Sequence, residues 1–268
     1  MGAGIAQVFA QAGYKVLLYE INADVLKKAQ AGIEKNLTQA VEKNKLTDAQ
    51  KNNTIANLIY ETALENIKAD LIIEAIVEKT EAKKELFATL AKNNADNTIL
   101  ATNTSSLSVT EIAQNIPNPE RVAGLHFFNP AHLMKLVEVV RGAQTSESTI
   151  ATLKEIVEKT GKNPVISKDS PGFIVNRVAR HYYVESLKLL EDGVAPKETI
   201  DSLLESAGFK MGAFKLMDFV GHDINFAVTK SLFEAFHNEP RFRPSRIQQQ
   251  LVLSGNLGRK TGKGFYAY

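Results

Sequence analysis

The sequence predicts an α/β domain built on a mostly parallel sheet, followed by a second domain that is almost all helix. Three observations predict it. Up to Ser167, short apolar runs alternate with amphipathic helical patterns, as buried parallel strands and their covering helices do. Beyond Pro164-Val-Ile-Ser167 the pattern turns helical and stays so to about Leu253. The 268 residues fit one large domain or two ordinary ones. The boundary is placed near Ser167–Ser170, giving domains of 1–168 and 169–268.

Taken in order, Gly2 to Ala12 reads as a closely packed helix that Gly13 ends. Lys15 to Glu20 is a short apolar strand ending in an acid. Ala23 to Asn44 is a long helix with Val25, Leu26, Ile33, Leu37 and Val41 on one stripe, and a second helix runs from Thr47 to Leu58. Asp70–Val77 and Thr98–Thr102 are strands flanking a helix over Thr80–Ala91. Ser108-Val-Thr-Glu111 has the form of a capping box before Ile112. Arg121–His126 and Lys135–Val140 are two more strands. Ser170-Pro171 reads as an N-cap with proline at the first helical position. Helices are expected over 172–193, 197–207, 222–237 and 243–253, before a glycine-rich, basic and aromatic tail.

Composition removes several function classes. Hydrophobic residues at 44% and charged residues at 23% exclude a disordered or fibrous chain. The absence of Cys excludes disulfides, thiolate nucleophiles and Cys-ligated metals, and no metal is expected. It also makes a reducing, cytoplasmic setting natural. A net charge of +2 makes no case for nucleic acid, and no run approaches the roughly 18 apolar residues of a membrane span. The N-terminus shows no basic leader and long apolar run, so a secretory signal is not expected.

Several polar residues stand where chemistry could use them. Glu20 lies 18 residues after Gly2, the place of a ribose-binding acid if Gly2 is the third glycine of a dinucleotide loop. A small helix packed on a sheet reads the same stretch equally well. Its charge would repel a 2′-phosphate, favouring NAD over NADP. Asn103-Thr-Ser-Ser-Leu107 follows a strand, where open α/β sheets bind ligands, but also fits a plain turn. His126 ends a strand, and Glu138 lies 12 residues later inside the next one. A buried carboxylate needs a partner. On adjacent strands the two would satisfy each other as a general base and its orienting group. Asn176 sits in a helical pattern beside Phe173, Ile174 and Val175, where its amide needs partners: a substrate oxygen or a structural bond. Glu78, just after a strand, is also readable as a solvated loop charge.

Together these strings resemble the L-3-hydroxyacyl-CoA dehydrogenases, above all the short bacterial 3-hydroxybutyryl-CoA dehydrogenases. Asn103-Thr-Ser-Ser-Leu, Gly124-Leu-His-Phe-Phe-Asn-Pro130, Met134-Lys-Leu-Val-Glu-Val, Ser170-Pro-Gly-Phe-Ile-Val-Asn-Arg177 and Gly258-Arg-Lys-Thr-Gly-Lys-Gly-Phe-Tyr occur in family order over essentially the whole chain. The resemblance implies a Rossmann-type NAD-binding domain with a helical CoA-binding insertion, its first strand and first two loop glycines lying upstream of Met1, and then a helical domain that mediates dimerisation. It implies NAD as cofactor and a short-chain (S)-3-hydroxyacyl-CoA substrate, with roles in fatty acid metabolism. By position, His126 would be the general base and Glu138 its orienter. Ser105 and Asn176 would bond the reacting oxygen or thioester. Glu20 would hold the adenosine ribose, and Gly2, Glu78, Lys83, Asn103, Asn129 and Lys260 fall at NAD-contacting positions.

Coenzyme A is a polyanion, and Lys27 to Lys51 holds six lysines against three acids. An exposed helix face with its usual lysines reads the same way. Lys43 matches a CoA contact of the family, and Asn36 stands where some members have Ser. Ala213 replaces a frequent Pro, with local consequence expected. Two other readings stay open: a catalytically impaired CoA-ester-binding fold, and a dehydrogenase of a free hydroxy acid. A fused hydratase domain does not fit within 268 residues.

Overall fold

A computed structural model describes all residues, 1–268. The chain forms two compact units, Met1–Ser170 and Pro171–Tyr268.

The first unit runs α1 (Gly2–Gln11), β1 (Val16–Tyr19), α2 (Ala23–Glu42), α3 (Asp48–Ala56), β2 (Leu58–Glu61), β3 (Leu71–Glu74), α4 (Thr80–Asn93), β4 (Ile99–Thr102), α5 (Val109–Ile112), β5 (Val122–Phe127), β6 (Leu136–Arg141), α6 (Glu147–Lys159) and β7 (Asn163–Lys168). β1 and β2 pair in parallel as a two-stranded sheet, and β3-β4-β5-β6-β7 form a five-stranded one. Its pairs are parallel except β5–β6, which is antiparallel because the connection between them is too short for a crossover.

Alternation along the strands builds a core on each face of the larger sheet. Ala101, Ala123 and Leu125 face a cluster with Ile5, Val8 and Phe9 of α1 and Ile150, Leu153 and Val157 of α6. Leu100 and Val122 face the other way, onto Phe87, Leu90 and Ala91 of α4 and Ile112 of α5. The expected helical stripe of α2 is real at Ile33 and Leu37, which pack with Ala6, Ala10 and Leu58. Val25 of the same stripe is exposed. Gly13, in the left-handed region at φ +91°, ends α1 as expected. Asn22, Thr47, Ser108 and Ser146 cap the helices that follow them through side-chain oxygens.

Several elements depart from the sequence expectation. The helix expected to reach Leu58 stops at Ala56, and Leu58–Glu61 becomes β2, because pairing with β1 outweighs the helical pattern before it. Asn163–Lys168, to which the sequence pattern assigns no element, is an edge strand; its largely exposed pattern hides it from hydrophobic periodicity. In the second unit, Ser170-Pro171 does not open a helix. Gly172 and Phe173 adopt positive φ of +73° and +48°, so α7 begins only at Val175. A side chain at Gly172 would also meet Leu232 Cδ2 at 2.6 Å.

The second unit contains α7 (Val175–Glu191), α8 (Lys197–Ser206), α9 (Ala213–Val220), α10 (His222–Ala235) and α11 (Arg246–Leu253). α9 had no counterpart in the sequence expectation; Ala213 is its first residue, fully buried. Tyr183, Leu187, Ile200, Phe214 and Met217 form the core. The tail folds back so that Phe265 and Tyr266 cover it.

Candidate active site

The register of β5 against β6 places His126 opposite Glu138. Their side chains meet, Nδ1 to Oε2, at 2.7 Å, and both residues are buried. An ionised carboxylate at this distance takes the Nδ1 proton as its hydrogen bond and leaves the imidazole lone pair on Nε2. The Phe128 ring packs on the imidazole at 4.5 Å.

The loop after β4 lies beside this pair. Asn103 Oδ1 accepts a hydrogen bond from the Phe127 amide at 2.8 Å, tying the loop to the residue after His126. Thr104 Oγ1, the Ser105 amide and Ser105 Oγ all donate to Glu78 Oε1, at 2.7, 2.8 and 3.1 Å. Burial disfavours the Glu78 carboxylate, but those bonds and the nearby Lys83 ammonium outweigh it and hold its pKa below the usual range. Lys83 is fully buried and bridges two acids, Glu74 at 2.7 Å and Glu78 at 3.2 Å. Thus His126, Glu138, Asn103, Ser105, Glu78 and Lys83 come together around the carboxyl ends of β3, β4 and β5. Asn129 is exposed and precedes a cis Pro130.

The other expected residues of the first unit stand on α1, after β1 and along α2 to its C-cap. Glu20 follows β1 and accepts from the Asn22 amide at 3.1 Å, close to the entry of α2. Gly2 opens α1, whose N-cap Met1 supplies no side-chain bond, so the helix end presents backbone N–H groups and positive dipole. A Cβ built at Gly2 would lie 3.9 Å from Ala75 Cβ and 4.0 Å from Leu18 Cδ1. A helix N-terminus and a strand-end acid suit the pyrophosphate and ribose of a dinucleotide. On α2, Asn36 donates to Gln7 Oε1 at 3.3 Å and is half-buried, whereas Lys43 is exposed at the helix end. Of the basic cluster, Lys51 bonds Thr38 Oγ1 at 3.0 Å and the other five lysines are exposed. In the second unit, Asn176 occupies the first turn of α7, and Lys260 pairs with Asp223 at 2.6 Å.

Sequence reasoning missed Glu74, Thr102 and Thr104. The signal for Glu74 was there: an acid in the apolar run Leu71-Ile-Ile-Glu74 is as anomalous as Glu138 within its own strand.

Comparison with known proteins gives the family. The family model "3-hydroxyacyl-CoA dehydrogenase, NAD binding domain" matches residues 1–170, and "3-hydroxyacyl-CoA dehydrogenase, C-terminal domain" matches 172–268. The chain is 52% identical to the 3-hydroxyadipyl-CoA dehydrogenase of Escherichia coli (strain K12), over 99% of its own length and 56% of that protein's. It is 42% identical to the mitochondrial hydroxyacyl-coenzyme A dehydrogenase of Sus scrofa, covering 88% of it. The crystal structure of (S)-3-hydroxybutyryl-CoA dehydrogenase PaaH1 from Ralstonia eutropha superposes with a TM-score of 0.96 at 36% identity, over all of this chain and 95% of that one. The chain thus spans little more than half of the Escherichia coli relative but nearly all of the Ralstonia enzyme. No helix is long and apolar enough to cross a membrane. The chain belongs to the 3-hydroxyacyl-CoA dehydrogenase family, with an NAD-binding domain followed by the family's C-terminal domain.

Proposed function

We propose that this protein catalyses the reversible, NAD-dependent oxidation of short-chain (S)-3-hydroxyacyl-CoA, with 3-hydroxybutyryl-CoA and acetoacetyl-CoA as the representative pair. The observation that carries this reading is the buried 2.7 Å His126–Glu138 contact beside the Ser105 loop. NAD, when bound, would supply the acceptor for the hydride leaving C3 of the substrate. His126 takes the 3-hydroxyl proton on Nε2, the nitrogen turned away from Glu138 in the tautomer that Glu138 selects. Glu138 stabilises the imidazolium that results. Ser105 and Asn176 donate hydrogen bonds to the oxygen or thioester that gains negative character. Gly2, Glu20, Glu78, Lys83, Asn103, Asn129 and Lys260 hold the cofactor, with Glu20 on the adenosine ribose. Asn36 and Lys43 meet coenzyme A on the basic α2–α3 pair. The working form is a cytoplasmic homodimer joined through the helical unit.

A steady-state assay with NADH and acetoacetyl-CoA tests the reading, and turnover is expected. Binding of a CoA ester without binding of NADH, measured by calorimetry, would instead identify an impaired CoA-binding fold. Turnover of a free hydroxy acid in place of the CoA ester would reassign the substrate. Because a relative at 52% identity is named for 3-hydroxyadipyl-CoA, that ester belongs in the same assay.

A further inference from the structure

We infer that Glu74 is a positioning residue for Ser105, acting through Lys83, Glu78 and Thr102. The inference rests on the dehydrogenase reading above for the meaning of Ser105, but its geometry stands separately.

Glu74 ends β3 with its side chain fully out of solvent. A carboxylate there is costly unless every lone pair finds a donor. Glu74 Oε1 accepts from Lys83 Nζ at 2.7 Å and from the Ile76 amide at 2.6 Å. Oε2 accepts from Thr102 Oγ1 at 2.8 Å. Thr102 is the register partner of Glu74 on β4, and the Asn103 amide donates to the Glu74 backbone carbonyl at 2.7 Å. Glu74 therefore fixes the last residue of β4 on one side and the Lys83 ammonium on the other.

The cluster has one cation between two acids, and its two halves differ. The Glu74–Lys83 bond is shorter and wholly buried. The Lys83–Glu78 bond is 3.2 Å, and the Glu78 side chain is 37% exposed. Glu78 spends one oxygen on that ammonium and offers the other to Thr104 and to the Ser105 amide and hydroxyl. Lys83 can hold Glu78 in place only because Glu74 holds Lys83. With Glu74 uncharged, Lys83 is free to follow Glu78 toward solvent. The acceptor that sets the Ser105 loop then loses its fixed position. Groups held through such a chain keep reacting partners within the sub-ångström tolerance that catalysis needs.

The test compares the full chain with its Glu74→Gln variant, which keeps the shape and removes the charge. Two quantities are read: reduction of acetoacetyl-CoA by NADH, and hydrogen exchange at the Ser105 amide, which requires no ligand. The expected result is a kcat lower by about 10-fold or more, with KM for acetoacetyl-CoA moving less than about 3-fold. Exchange at Ser105 is expected to speed up by about 10-fold. Unchanged exchange overturns the inference, whatever happens to kcat, because Ser105 is then held without Glu74. A drop in melting temperature with kcat and exchange preserved overturns it as well, leaving Glu74 a purely structural acid. If Glu74→Gln does not fold, Thr102→Val removes the Thr102 Oγ1 bond to Glu74, together with the bond that oxygen accepts from the Thr104 amide at 3.2 Å, without touching charge. It should show the same pattern at about 3-fold, and wild-type behaviour overturns the inference. Absence of turnover in the unaltered chain tells against the dehydrogenase reading alone; the exchange measurement then decides the role of Glu74.

Discussion

Two histidine–carboxylate pairs are buried in this molecule, one in each unit, and they differ in what surrounds the ring. In the first unit, His126 meets Glu138 at 2.7 Å at the end of a strand, beside a polar loop of Asn and Ser. In the second, His222 Nε2 meets Asp218 Oδ1 at 2.6 Å, one helical turn apart across the α9–α10 junction. There the environment is sealed. His222 Nδ1 lies 3.4 Å from Gln248 Nε2, and the Phe265 ring stands edge-on against the imidazole. Asp218 also accepts from the Phe265 and Tyr266 amides and the Tyr268 hydroxyl. Its charge is consumed in latching the C-terminal tail. The same two side-chain types thus make a candidate base where a strand ends beside the polar Asn103–Ser105 loop, and a clasp where backbone donors close over them. Distance and burial are nearly the same in the two pairs; the surroundings of the ring separate them.

Breaking each pair should affect different observables. The largest effect is expected for His126→Ala: loss of the base should lower kcat by about 10³-fold, measured with NADH and acetoacetyl-CoA. Near-normal turnover would sink the assignment of the base. Glu138→Gln should follow, with kcat down about 10²-fold as the preferred tautomer is lost. A variant matching wild type would show that Glu138 is a packing residue. Asp218→Asn should leave kcat within about 2-fold while costing about 2–3 kcal/mol of stability through weakened charge-assisted bonds, seen in urea unfolding. A large loss of kcat in a folded Asp218→Asn protein would dissolve the distinction between base and clasp.

Acid should sharpen the same contrast. Burial opposes ionisation of Asp218, but the His222 bond and the Tyr266 and Phe265 amides outweigh it and hold its pKa below the usual 3.8. The folded pKa is depressed, so this stabilisation is fully present above about pH 4 and fades as pH falls through the folded value. Unfolding at pH 2–4 should therefore be shallower in pH for Asp218→Asn than for wild type; parallel curves would contradict it. The smallest effect is expected at Lys43→Ala, a rise of about 2–5-fold in KM for the CoA ester that shrinks in added salt. An unchanged KM would point away from coenzyme A at α2.

Much of this was readable from the chain because it depends on local pattern. Apolar runs gave β1, β3, β4, β5 and β6, and an acid inside a strand drew attention to Glu138. The same rule applied to Glu74 would have found the Lys83 cluster, but Lys83 itself looks like any helical lysine until the fold turns it inward. β2 and β7 escaped because their strand character comes from neighbours, β1 and β6, that are distant in sequence. The start of α7 was misplaced because Ser-Pro predicts a cap, whereas Gly172 and Phe173 take positive φ and Leu232 leaves no room for a side chain at 172.

By itself the sequence determined the order of elements, the change of character near Ser167 and the polar residues at strand ends. Periodicity, capping and turn chemistry act over a few residues and need no knowledge of the partner. Only the tertiary structure decided which histidine stands beside the polar loop and which is sealed, and which acid Lys83 serves. Those outcomes depend on groups such as Lys83 with Glu74, 9 residues apart, His126 with Glu138, 12 apart, or Asp218 with Tyr268, 50 apart, meeting within hydrogen-bond distance. A pattern read along the chain carries no such distance.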